Sequence, residues 1–499
     1  MMTLAQAANI VHGKRYGADA RFTAVATDSR TIERGGLFVA IPGEKFDGHD
    51  FVVQAHKQGA VAALVSRAHD SALPQIVVRD TTQALGQLAS HWRLRFDIPL
   101  LAITGSNGKT TVTAMAASIL NQRGNCLFPE RSFNNQWGVP LTLLKLNERH
   151  DFAVIEMGTN HIGEIAALSR MAKPTIALIN NVAAAHLEGL DNLQQIAQAK
   201  AEIFCGLNET GTAVINADDQ FAAEWRNEVA PKLKSGRVLS FAMPKQDDLT
   251  PADLTLANLQ CEWRSSRFEL CIRAARPHKQ HDQKHDQKHD ERQATIHLPL
   301  PGRHNVMNAL AAAAICHAVG ATMQCIKRGL ENMRAVQGRL NHQRALGGAV
   351  VLDDSYNANP QSVKAGIDVL ARFKGRKILV LGAMAELGAM SAQLHHEVGR
   401  YANDQRIDLL LCLLAEEAGQ SHNDAKHYAR GFGQGGKRAQ VFQSLHDLVA
   451  ELKGNLSADV AVLVKGSRSA MMERVVAEII EVEELSGDDE QPHRGGASC

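Results

Sequence analysis

Short apolar runs rich in β-branched residues recur along the whole chain, each bounded by turn formers: GLFVAIPG, AVAALVS and PQIVVRD early, PLLAITG, DFAVIEMG and PTIALINNV in the middle, AVVLDDS, KILVLGA and AVLVKGS late. Such runs predict buried strands, because a strand covered on both faces has no wet side that would need alternate polar residues. Between several of them lie longer stretches of helical pattern, for example TTVTAMAASILNQRG and NVMNALAAAAICHAVG. Strands alternating with helices predict parallel sheets covered on both faces, so the expected fold class is α/β.

At 499 residues the chain is longer than one ordinary core can serve, and domain-size scaling predicts roughly three units. The pattern divides into residues 1–98 before PLLAITG, a central block 99–335, a C-terminal block 336–485 beginning near QGRLNHQ, and a flexible tail 486–499. The repeat HDQKHDQKHD at 281–290 has no apolar face. It is expected to be a solvated loop, a reading preferred to metal binding by its histidines.

Composition narrows the function classes. Hydrophobic residues at 45% and charged residues at 21% are ordinary globular usage, which excludes a disordered or membrane-like chain. A formal net charge of +1 removes the electrostatic footprint of a nucleic-acid or anionic-membrane binder and leaves a small anionic ligand open. Eight cysteines are scattered from Cys126 to Cys499 without a C-x-x-C pair, the usage of reduced thiols rather than of a disulfide scaffold or zinc ribbon. Neither a secretory leader nor an apolar run of about 18 residues is found, so a cytoplasmic protein without membrane insertion is expected.

The most informative stretch is LLAITGSNGKTTVTAMAASIL, a strand running into a glycine-containing loop and then a helix beginning near Lys109. Glycines permit close backbone approach, N–H groups at the helix start face an anion, Lys109 adds a cation and a threonine hydroxyl can ligate Mg²⁺. The candidates are Gly105, Ser106, Asn107, Gly108, Lys109, Thr110 and Thr111, with Thr110 on the metal side. Ile103 occupies the first glycine position of the standard phosphate loop, so a generic NTPase label fits poorly. Mg²⁺ on a triphosphate also wants a carboxylate at the end of a neighbouring parallel strand, and DFAVIEMG puts Glu156 there. His186, after PTIALINNV, and Lys200, in DNLQQIAQAKAEIF, are unremarkable alone: a lone histidine is more often structural and a helix normally carries solvated lysines.

TGSNGKTT, Glu156, His186 and Lys200 occur in the order seen in the Mur ligases, a superfamily that also contains folylpolyglutamate synthetases, and the chain closely resembles that family. Further matching stretches are ATDSRTIERGGLFVAIPGEKFDGHDF, RSFNNQWGVPLTLL, GRHNVMNALAAAA, QGRL, VLDDSYNANPQSV, LGAMAELG and LVKGSR. The resemblance implies an N-terminal UDP-sugar-binding domain, a central P-loop ATPase domain and a C-terminal Rossmann-like domain. It implies that Glu156 and His186 bind Mg²⁺, and that Lys200 is carbamylated, which would turn a cation that repels Mg²⁺ into an anion that helps organise it. Ser29 and Arg30 of DSR, and Asp47 and His49, would line the nucleotide-sugar side. Asn305 and Asn308 would lie near adenine and ribose, Arg339 would reach the γ-phosphate, and Asp354 would hold the ribose. Together these imply a site closed by domain movement.

Within the family, RSFNNQWGVP and DSYNAN resemble the branch that adds D-alanyl-D-alanine to UDP-N-acetylmuramoyl-tripeptide, and the DNPR signature of the diamino-acid-adding branch is absent. Asn134, Asn135, Tyr356 and Asn357 become candidates for holding the acceptor carboxylate, the peptide or the dipeptide, with Lys465 and Arg468 as weaker ones. The implied reaction is ATP-dependent amide formation through an acyl phosphate, by a monomer, with Lys109, His186, Lys200 and Arg339 as the catalytic group. Two alternatives stand beside it: another Mur-type or folylpolyglutamate-type ligase, and a nucleotide-binding regulator without catalysis.

Overall fold

A computed structural model of the chain describes residues 1–43, 46–129, 132–183, 190, 192–244, 252–273, 293–414, 424–433 and 438–481. The HDQK repeat and the tail lie outside these residues, as does His186. Two compact units are present. One comprises Met1–Val336 with Asn359–Ala365 and Glu386–Met390, and the other comprises the remainder from Gln337.

The first unit contains two larger sheets. Near the N-terminus, five strands lie in the order Lys14–Tyr16, Gln75–Val77, Ala62–Val65, Gly36–Val39 and Ala24–Ala26, all parallel except the first pair. The nine-stranded sheet that follows has the order Gln293–Leu298, Ser266–Ile272, Leu254–Cys261, Arg237–Phe241, Thr212–Asn216, Ile176–Ile179, Leu100–Thr104, Phe152–Glu156 and Cys126–Leu127. Neighbours are parallel from Cys126–Leu127 as far as Leu254–Cys261. The two strands beyond are antiparallel additions. Leu254–Cys261 and its partner alternate between buried and wetter positions, the period of strands covered on one face only. That explains why continuous apolar runs marked the parallel strands and passed over these.

One apolar core joins the two sheets: Leu4, Phe22 and Leu37 connect through Leu85 and Leu88 to Leu143, Ile165 and Phe204. The helix Thr81–Arg93 is the shared wall. Asp80 caps its N-terminus by accepting the Gln83 N–H, satisfying one of the orphan donors of the first turn. At its other end Arg93 is buried and donates to the carbonyls of Phe96, Ile98 and Ala172, while Trp92 Nε1 donates to Leu146 O at 2.9 Å. A guanidinium taken out of water in this way is tolerated because carbonyls replace its hydration. Continuity of this core is why the N-terminal sheet belongs to the same compact unit.

Helix Arg303–Ala318 is buried along almost its whole length, with no polar stripe to mark a solvent face, as a helix inside a core should be. Its alanines let it lie close against helix Lys109–Leu120, where Cys316 Sγ reaches Ala116 O at 3.6 Å.

The second unit has a six-stranded sheet in the order Asn341–Arg344, Val350–Asp354, Val460–Lys465, Arg376–Leu381, Leu409–Leu413 and Arg438–Phe442. Only the first pair is antiparallel. Chain order reverses beside Val460–Lys465, and in open parallel sheets polar sites gather at carboxyl ends near such a reversal.

Candidate active site

Three adjacent parallel strands end side by side in the first unit, with Glu156 in register with Ile103 and Ile179 with Thr104. Every residue of Leu100–Thr104 is buried, so the chain emerges from the sheet directly into Gly105–Gly108 and then helix Lys109–Leu120. Gly108 is left-handed at φ +79°, and a Cβ there would collide with Asn308 Oδ1 and come within 2.8 Å of Asn180 Nδ2. Both the dihedral and the crowding demand glycine.

Asparagines from two other segments hold the loop. Ser106 N–H donates to Asn181 O at 2.9 Å, Asn107 N–H donates to Asn181 Oδ1 at 2.8 Å, and Asn180 Nδ2 and Asn181 Nδ2 both donate to Asn107 O. Asn180 Nδ2 also donates to Asn308 Oδ1 at 3.0 Å, and Asn308 Nδ2 to Asn305 Oδ1 at 3.3 Å. Lys109 Nζ folds back on the carbonyls of Gly105, at 2.8 Å, and Ser106. A lysine stationed over the loop by its own carbonyls is poised to exchange them for phosphate oxygens.

Glu156 is 1% exposed, and both its oxygens are held: Oε2 accepts from Thr110 Oγ1 at 2.8 Å and Oε1 from Asn134 Nδ2 at 2.6 Å. Asn134 is fixed in turn, since Gly158 N–H donates to its carbonyl at 2.8 Å. Glu156 and Thr110 form an all-oxygen pair beside a phosphate loop, the donor set a hard divalent cation prefers. Two cis oxygens on an octahedral Mg²⁺ with bonds of about 2.0–2.1 Å lie about 2.9 Å apart, so the residues present fit the ion.

Lys200, on helix Leu193–Ala201, is 2% exposed. Burial, and after it the positive charge of Lys109, push its pKa well below the ordinary lysine value, against a smaller opposing pull from Asp219. A lysine in that setting favours the neutral amine.

Towards the N-terminus, Ser29 Oγ donates to Gln54 Oε1 at 3.2 Å, while the exposed Arg30 forms a two-pronged pair with Asp28. Asp47 accepts the backbone N–H of His49 at 2.9 Å and its ring Nδ1 at 2.6 Å, and pairs with Arg67 at 2.8 Å. The His49 bonds, backbone first, and then Arg67 hold its carboxyl far below the usual range. His49 itself is 1% exposed, and its Nε2 accepts the Ser66 N–H. With both ring nitrogens engaged inside the domain, His49 acts as a tie that fixes the Asp47 turn.

The second unit carries its own polar cluster at the carboxyl ends of two neighbouring strands, where Asp354 and Lys465 are register partners. Lys465 Nζ lies 2.6 Å from Asp354 Oδ2 and donates to Asn357 O at 2.8 Å. Burial pushes the Asp354 carboxyl up and the Lys465 ammonium down, and the pairing opposes both shifts. The Arg339 guanidinium sits 4.5 Å from the centroid of the Tyr356 ring, with Arg468 at 5.8 Å.

The chain matches families described as Mur ligase family, catalytic domain, over residues 21–93, Mur ligase middle domain over 103–316, and Mur ligase, glutamate ligase domain, over 338–468. It is 42% identical to the UDP-N-acetylmuramoyl-tripeptide–D-alanyl-D-alanine ligase of Escherichia coli K12 over 476 residues, 95% of this chain and 97% of that protein. The chain belongs to the Mur ligase family. Among solved structures, a MurF from Acinetobacter baumannii superposes with a TM-score of 0.81 at 32% identity, covering 96% of this chain and 98% of that one. A MurF ligase from Thermotoga maritima, solved in complex with ADP, gives 0.75 at 26% identity, covering 93% and 98%.

In this Mur ligase, hydrogen bonds bring together the phosphate loop, Thr110, Glu156, Asn134, Asn305 and Asn308, and electrostatics couple Lys200 to Lys109. The sequence reading missed Asn180 and Asn181. A paired asparagine at the end of a buried strand was the available signal, but nothing local ties PTIALINNV to a loop more than 70 residues earlier. Asn135, expected to meet substrate, has its Oδ1 bound to the N–H groups of Trp137 and Gly138 at the start of a helix. Asn357 Oδ1 likewise accepts a local bond, from Ala358 N–H at 2.9 Å.

Proposed function

We propose that this chain joins D-alanyl-D-alanine to UDP-N-acetylmuramoyl-tripeptide at the expense of ATP, as a cytoplasmic monomer. The observation that carries the reading is 42% identity along 95% of the chain to a ligase named for that reaction, with the phosphate loop, Thr110 and Glu156 assembled in this structure. The family match extends through residues 21–93 as well as the ATP-binding region, which favours this branch over a folate-type ligase.

A carboxylate does not condense with an amine in neutral water, because its oxygen is a poor leaving group. In the proposed reaction the peptide carboxylate takes the γ-phosphoryl group of ATP, releasing ADP, and the amine of D-alanyl-D-alanine then displaces phosphate and loses a proton. The protein positions the reactants and neutralises charge. Gly105–Thr111 would cradle the phosphates, with Lys109 beside them. Thr110 and Glu156 would hold Mg²⁺, joined on family grounds by His186 and a carbamylated Lys200. Bound there, Mg²⁺ supplies charge neutralisation on the triphosphate. Burial shifts Lys200 towards the neutral form that can add CO₂. Family resemblance assigns Asn305 and Asn308 to adenine and ribose, Asp354 to ribose and Arg339 to the γ-phosphate. It assigns Ser29, Arg30 and the Asp47–His49 turn to the UDP-sugar, and Asn134, Asn135, Tyr356 and Asn357 to the acceptor side. The domain division at about residues 98 and 335 gives each domain its own principal sheet.

The test is phosphate release from ATP and Mg²⁺ with UDP-N-acetylmuramoyl-tripeptide, with and without D-alanyl-D-alanine, followed by mass analysis. Release that needs both co-substrates and yields the UDP-pentapeptide is expected. Release with another amino acid or with a folate would overturn the substrate assignment.

A further inference from the structure

Arginine has a long, flexible side chain, and an arginine that must meet a transferring phosphoryl group gains most from being held in place beforehand. The turn that carries Arg339 is built unusually tightly onto the end of strand Val350–Asp354. Gly338 is left-handed at φ +71°, and a Cβ on it would lie 3.1 Å from Tyr356 Cβ and 3.2 Å from Tyr356 N. The Tyr356 N–H donates to Gly338 O at 3.2 Å. Leu340, buried at 3% exposure, takes φ +52° although it is not glycine, and its backbone N–H is bonded to Asp354. Backbone strain in a buried leucine persists only where its surroundings over-determine it.

Arg339 is thus clamped on both sides to the Asp354–Tyr356 segment, and its guanidinium lies over the Tyr356 ring. From this geometry we infer that Tyr356 is a positioning residue: its ring face fixes the Arg339 guanidinium in the orientation needed for phosphoryl transfer. The inference rests on the proposed role of Arg339 and assigns Tyr356 a task other than direct contact with the acceptor. Ring face matters here, and the phenol hydroxyl does not, because the attraction is between a cation and a π-system. Arg468 lies farther from the same ring, at 5.8 Å against 4.5 Å for Arg339, and pairs with Glu473 at 2.8 Å.

Full-length enzymes carrying Tyr356→Phe, Tyr356→Leu, Tyr356→Met, Arg339→Ala and the Tyr356→Leu/Arg339→Ala pair, each checked by circular dichroism, test this in the phosphate-release assay. Tyr356→Phe, which keeps the ring, is expected to hold kcat several-fold above that of either ringless variant. Tyr356→Leu and Tyr356→Met, two differently shaped replacements without a ring, should lower kcat about tenfold while leaving KM for D-alanyl-D-alanine within about twofold. In the Arg339→Ala background the leucine substitution should cost nothing more, since the ring acts through the arginine. A rise in KM for the dipeptide at unchanged kcat would overturn the inference in favour of direct acceptor contact, and an equal loss in Tyr356→Phe would overturn it in favour of the hydroxyl. Arg339→Ala slow but Tyr356→Leu normal refutes the positioning role alone. A normal Arg339→Ala refutes the role of Arg339 and the inference with it.

Discussion

Replacing Lys465 with Met keeps an unbranched side chain one atom shorter and removes its charge, leaving Asp354 as a carboxylate inside the second unit. In the native protein these side chains are 3% and 9% exposed as residues and 2.6 Å apart at their charged ends, and the ammonium also satisfies Asn357 O. Removing one partner of a buried pair typically costs about 3–5 kcal/mol. The least costly response is for Asp354 to take up a proton, since burial already pushes its carboxyl above the ordinary value of 3.8. Each pH unit above that value costs about 1.4 kcal/mol to protonate it. The loss should therefore be about 4 kcal/mol at pH 7 and about 1.5 kcal/mol at pH 5. The sign follows from linkage: a carboxyl kept neutral only in the folded state loses stability as pH rises above its unfolded pKa. Urea unfolding of the full chain at both pH values, with hydrogen exchange followed at amides of Val350–Asp354 and Val460–Lys465, measures this. Adding Asp354→Leu should recover most of the deficit. A loss under about 1 kcal/mol at pH 7, or one independent of pH, would refute the reasoning.

Gly108→Ala should weaken ATP binding at least tenfold in a nucleotide titration, because the added methyl meets Asn308 and forces a left-handed backbone on alanine; unchanged affinity would mean the loop does not grip the phosphates in this conformation. Asn134→Ala removes a donor from Glu156 Oε1 and should raise the Mg²⁺ concentration for half-maximal activity several-fold, whereas a higher KM for D-alanyl-D-alanine at unchanged Mg²⁺ dependence would return Asn134 to a substrate role. His395 is fully buried, donates from Nδ1 to Ser391 O at 2.7 Å and accepts the Met384 N–H on Nε2 at 3.0 Å, so only the neutral ring fits. Burial lowers its pKa, against the pull of the Ser391 bond and Asp424, while His427 adds to the lowering. Stability is then full above about pH 6.5 and declines as pH falls below it, by at most about 2 kcal/mol at pH 5. His395→Gln should flatten that part of the pH–stability curve, and an unflattened curve would place the titration elsewhere.

Local patterns in the sequence were enough for the strand–loop–helix of the phosphate site, because glycine, lysine and threonine have their effects within a few residues of the strand that presents them. Continuous apolar runs likewise marked the parallel strands, since burial on both faces writes itself into every position. Tertiary structure decided the rest. Asn180 and Asn308 meet at Gly108 only because strand Ile176–Ile179 lies beside Leu100–Thr104 and helix Arg303–Ala318 packs against the helix that follows the loop. That the Asn134 amide donates to Glu156, and that Lys200, unremarkable by its helical pattern alone, is buried within the field of Lys109, could be read only from the fold. Asp354 and Lys465 stand 111 residues apart in sequence and become one ion pair through strand register. Periodicity and residue type report what each segment would bury or bind. Which segments meet depends on contacts across long stretches of chain, and those arise only when the sheets and helices pack.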